Sequence, residues 1–92
     1  MKWIETIMLR STEEIPKDLL VDWKHNVHPE NTDLVEVKIY RNYSLNTDLK
    51  IQIRWESDIN PVGESFLGSR MHHIMKDYGL VCHTVWIEEL FE

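Results

Sequence analysis

From Leu49 the chain alternates. Leu49, Ile51, Ile53 and Trp55 fall on one phase, and Lys50, Gln52, Arg54 and Glu56 on the other. A period of two with one dry and one wet side predicts a half-buried strand over 49–57. Leu34 to Tyr43 alternates in the same way, with Val35, Val37 and Ile39 opposed to Glu36, Lys38 and Asn42. Ser44-Leu45-Asn46-Thr47-Asp48 between them has turn chemistry, so the two runs predict a hairpin. Residues 3–10 hold β-branched and large apolar side chains without a turn former and predict a first strand. Ile15, Leu19, Leu20, Trp23 and Val27 then recur at helical spacing. Ser11 followed by Glu14 is a capping-box pattern, and Pro16 fits a first turn, so this helix should start near Glu14–Pro16. The segment 28–33 reads as a loop. Leu67, Met71, Ile74, Met75 and Tyr78 form a second helical stripe with Phe66 at its rim, capped by Asp58 or Asn60, with Pro61 in its first turn and Gly79 as a left-handed terminator. Val81, Val85 and Ile87 mark a last strand.

The order is β-α-β-β-α-β. A shift of 46 residues superposes Ile7 on Ile53, Ser11 on Ser57, Leu34 on Leu80 and Val35 on Val81. These identities are near chance, but strand, capping residue, helix, loop and strand return in the same phase. Two such halves predict an α+β, ferredoxin-like fold: a four-stranded antiparallel sheet of order 4-1-3-2 with both helices on one face, as a single domain over 1–92. The helix side of the sheet should hold Ile7, Leu9, the odd residues of the third strand, Val81, Val85, Ile87 and His83. Glu5 shares that phase and does not fit it, which places the start of the core contact after it.

Composition narrows the function classes. The 92 residues are 42% hydrophobic and 28% charged, an ordinary globular balance. A net charge of −6 repels a phosphate backbone, so no nucleic-acid partner is expected. Cys82 is the single cysteine, so no internal disulfide forms, and a reducing, cytoplasmic setting is expected. No run reaches the roughly 20 apolar residues of a membrane helix, and 1–10 lacks the apolar stretch of a signal peptide, so no membrane partner is expected.

The sheet face away from the helices should carry Ile4, Thr6, Met8 and Arg10, then Glu36, Lys38, Tyr40 and Asn42, the polar residues of the third strand, and Cys82, Thr84, Trp86 and Glu88. Ile4, Met8 and Trp86 on adjacent strands are more apolar than a purely wet face needs. Charges of both signs beside them can pair across a two-fold axis. The expectation is a homodimer that stacks its open faces, with Ile4, Met8, Lys38, Tyr40, Arg54 and Trp86 in the contact.

Candidate chemistry is sparse. His25 and His28 are three apart, while His72 and His73 are adjacent and diverge by about 100° on a helix, so no metal site is expected. No cofactor motif is present: Gly63 and Gly68 make no phosphate loop, and Ser65 and Ser69 stand in no nucleophile turn. His83 is more informative. On the buried phase its imidazole needs a partner, since an unmade hydrogen bond there costs about 1–3 kcal/mol. A histidine satisfied within the core is the commoner outcome. The functional alternative makes His83 the polar group of a small pocket lined by Trp23, Trp55, Met71 and Tyr78, sized for an aromatic ligand.

The strand and helix order, the length and the amphipathic open face resemble the dimeric α+β barrel superfamily, whose best-known members are the antibiotic-biosynthesis-monooxygenase-like proteins. Trp55-Glu56-Ser57 followed by a helix bearing His72-His73 is similar to the tryptophan-then-histidine arrangement of some members, at a longer spacing. The resemblance implies a ferredoxin-like homodimer. It also implies an alternative to a non-catalytic binding or assembly module: a cofactor-independent monooxygenase-like or isomerase-like enzyme. That enzyme would hold an aromatic or quinone-like small molecule near His83, Trp55 and Tyr78, with His83 as the candidate catalytic group.

Overall fold

A computed structural model describes residues 1–25, 33–58, 63 and 65–91. Strand β1 (Lys2–Ser11) leads to helix α1 (Lys17–His25), the hairpin β2 (Leu34–Arg41) and β3 (Asp48–Glu56), helix α2 (Phe66–Met75) and strand β4 (Gly79–Ile87). The sheet order is β2-β3-β1-β4, all neighbours antiparallel, which is the expected 4-1-3-2 order read from the other edge. The fold is ferredoxin-like α+β. Among the described residues no helix is long and apolar enough to cross a membrane.

Strand β1 is central because its odd residues can be buried between two neighbours. Ile7 faces Ile51 on β3 and His83 on β4, and Leu9 faces Leu49 and Val81. These side chains, with Trp3, Ile53 and Trp55, meet Ile15, Trp23 of α1 and Met71 and Met75 of α2 in one core. Full burial of each large apolar side chain stabilises the fold by about 1.5–3 kcal/mol.

Several local expectations are corrected. The Ser11 capping box does not form. Ser11 ends β1, and its hydroxyl accepts from Glu13 N at 3.2 Å. The regular helix starts at Lys17, after Pro16, whose carbonyl accepts from Leu19 N and Leu20 N. Val27, His28 and residues 29–32 of the expected loop lie outside the described residues. So do Asn60 and Pro61. The cap of α2 is Ser65, whose hydroxyl accepts from Gly68 N at 2.9 Å. Helix α2 ends at Met75 with Lys76 as C-cap, which leaves Tyr78 beyond the helix. Gly79 is not a left-handed terminator but the first residue of β4, paired with Ser11. A β-carbon there would overlap the carbonyl oxygen of Arg10, so glycine serves close strand approach.

Strand β2 departs from simple alternation. Leu34 pairs with Trp55 and Glu36 with Arg54, so one extra residue, Val35, bulges out of the ladder. Leu34 therefore packs on the core in place of Val35, which is exposed. A bulge inserts one residue and shifts the phase of everything before it. Ile87 is also exposed, at the end of an edge strand. Between β2 and β3 the Asn42 side chain accepts from Ser44 N and Leu45 N, both at 2.8 Å, an Asx turn that closes the hairpin.

Candidate functional site

Two features stand out: a polar cluster inside the helix side of the sheet and an apolar stripe on the open side. The cluster centres on Glu5. Expected to precede the core contact, Glu5 is instead fully buried, on the same phase as Ile7 and Leu9. Trp55 Nε1 donates to its Oε1 at 2.9 Å. Ser65 N donates to Oε2 at 3.2 Å, and His83 Nε2 lies 2.7 Å from the same oxygen. These three partners explain why a carboxyl group can sit in the core, where an unpaired one would cost several kcal/mol.

Each partner arrives by backbone geometry. Trp55 stands opposite Trp3 on β3, and His83 opposite Ile7 on β4, so both flank Glu5 diagonally across the central strand. The two indoles Trp3 and Trp55 stack at 5.3 Å, which fixes the Trp55 ring with its N–H turned to the carboxyl. The first turn of α2 comes down on the other side, and its positive end favours a carboxylate. Gly68 makes that approach possible, because a β-carbon there would overlap the Glu5 carboxyl and crowd the His83 ring. The His72 ring lies 5.7 Å from that of His83, edge to face.

His83 and Trp55 are thus brought together, and Met71 is buried in the core. Trp23 and Tyr78 meet each other edge to face at 5.4 Å, near the other end of β1, where Thr12 N donates to Tyr78 O. Glu5 is the residue that sequence reasoning missed. The signal was available in its phase: a carboxyl on the dry side, with an imidazole and an indole N–H on the same dry side of the neighbouring strands. Among the described residues no three His, Cys, Asp or Glu side chains gather into a metal-ligand set.

On the open face Met8 is 52% exposed, Tyr40 42% and Trp86 59%. Ile4 lies beside Trp86 in register, and Met8 beside Cys82. Arg54 Nη1 donates to Glu36 at 2.7 Å, Lys38 lies 3.6 Å from the same carboxyl, and Lys50 sits over the Tyr40 ring. The Arg54 hydrogen bond, aided by the Lys38 charge and opposed by partial desolvation, holds the Glu36 carboxyl below the usual carboxylate range. A group depressed in this way favours the folded chain above its unfolded value, and that contribution fades as pH falls through the folded value. Three depressions of about 340, 230 and 240 Å³ lie along this face. The largest is lined by Ile4, Val35, Arg54 and Trp86, and His83 lines none of the three.

No family model matches the chain, and no curated protein matches it by sequence. Solved structures do match by fold. The chain is similar to Rv0793 from Mycobacterium tuberculosis, with 13% identity and a TM-score of 0.65, over 100% of this chain and 98% of that one. It is also similar to SO0527 from Shewanella oneidensis, with 9% identity and a TM-score of 0.50, over 94% of this chain and 93% of that one. At such identities the likeness establishes the ferredoxin-like fold.

Proposed function

We propose that the protein is a homodimeric ferredoxin-like module whose two subunits stack their open sheet faces. One observation carries the reading: Met8, Tyr40 and Trp86 are each about half exposed on a single face, interleaved with the two-signed set Glu36, Lys38 and Arg54. Aromatic and methionine side chains are enriched at protein interfaces, and a second copy supplies both an apolar cover and complementary charges. The resemblance to dimeric α+β barrels supports the same arrangement. Sedimentation equilibrium at micromolar concentration tests it. The expected species has twice the 11.1 kDa chain mass. A monomer at all concentrations overturns the reading.

A second reading is favoured by the buried Glu5–His83–Trp55 cluster. A carboxyl oxygen and an imidazole nitrogen 2.7 Å apart in the core are a pair of acid–base groups within reach of proton transfer. Under this reading the module takes a small aromatic or quinone-like molecule next to His83, as a ligand or as a cofactor-independent enzyme's substrate. His83→Ala is expected to abolish binding of an aromatic fluorescent probe. Unchanged affinity removes the proposal.

A further inference from the structure

The segment after β4 leaves the sheet beside Lys2, to whose carbonyl Glu88 N donates at 2.9 Å. Immediately beyond, Leu90 and Phe91 are 81% and 92% exposed. Two adjacent large apolar side chains without cover, in an acidic stretch, suit an apolar recess with cations at its edge. Such a recess exists on the open face: the depression of about 340 Å³ lined by Ile4, Val35 and Trp86, with Lys2 and Arg54 also in its wall.

We propose that in the dimer Leu90 and Phe91 of each subunit insert into this depression on the other subunit. The inference rests on the stacked-face reading and specifies how that face is completed. Glu88 itself lines the recess, so a chain filling its own recess would have to reverse within the next three residues. Glu88-Glu89-Leu90-Phe91 contains neither glycine nor proline, the residues that ease so tight a reversal. A second copy meets no such constraint. Glu56 and Glu88 share the recess with Lys2 and Arg54, and Arg54 is bonded to Glu36, so the contact rests on the apolar cover of Leu90 and Phe91 and not on a net positive wall. Two-fold symmetry makes the contact twice, and each covered phenylalanine removes on the order of 150–250 Å² from water.

Full-length chains with Cys82→Ser as background provide the test. A Val35→Cys chain is mixed with a Phe91→Cys chain and treated with a short bis-maleimide. A covalent dimer joined between positions 35 and 91 is expected, at a yield well above that of a Tyr43→Cys plus Phe91→Cys mixture. In addition, Leu90→Ser with Phe91→Ser should weaken the dimer by about tenfold or more. A dimer by sedimentation that gives no 35–91 link above the Tyr43 control overturns the insertion and leaves the stacked faces standing. So does a chain carrying both Val35→Cys and Phe91→Cys that links only within itself, at monomer mass. A monomer by sedimentation overturns both.

Discussion

Glu5→Ala should lower the stability of the folded chain by about 3–5 kcal/mol, because it removes at once the buried group to which three others turn and leaves a cavity. The loss comes from what is left behind. Trp55 Nε1, Ser65 N and the His83 ring all turn toward the Glu5 carboxyl, and alanine offers them nothing. Each buried donor left unmade costs about 1–3 kcal/mol, and alanine also opens a cavity. Small domains are stable by only about 5–15 kcal/mol, so the urea midpoint should fall by a large fraction of its value. Glu5→Gln keeps the shape and an acceptor for the indole, and should lose less than half as much. An alanine variant within about 1 kcal/mol of the parent would show that the cluster does not hold the fold together.

Trp86→Glu should leave the fold intact and split the dimer proposed above. Trp86 lies outside the core, and its indole N–H donates to Thr84 Oγ1 on the same strand, so no buried group depends on it. In stacked faces the same position sits beside Ile4 and in the wall of the depression of about 340 Å³, and glutamate would replace the apolar cover there with a charge that the contact must desolvate. Tryptophan is among the residues that most often account for about 2 kcal/mol or more in an interface, and the added charge raises the effect to about 100-fold or more in dimer affinity. Sedimentation should report a monomer, and circular dichroism an unchanged folded spectrum. An unaltered dimer mass would mean that the subunits meet elsewhere.

Much of the architecture was legible because β3 is so regular. Its alternation from Leu49 to Trp55 sorted one strand into two faces, and the order of elements then placed the others. The residues of the open face, Ile4, Met8, Lys38, Tyr40, Arg54 and Trp86, fell where their phase put them. What escaped has physical reasons. A bulge such as Val35 adds one residue without a composition signature, so strict counting put Val35 inside and left Leu34 unassigned. The apolar spacing continues to Tyr78 and so predicts too late an end for α2, whereas the chain already turns at Lys76. Glu5 was set aside because a charged residue on a dry phase makes sense only when its partners are known. Those partners are 50, 60 and 78 residues away along the chain. Phase can be read locally; satisfaction of a buried carboxyl cannot.

The displaced Val35 also governs how copies of this chain can meet. Strand β2 is an outer strand of the sheet, and a long straight one would offer its free backbone groups as a template for another strand. The kink at Val35 breaks that row after a single residue, which works against endless edge-to-edge stacking of the kind that builds fibrils. With the rim blunted on that side, the open-face pairing proposed above is an association that closes after two copies instead of propagating.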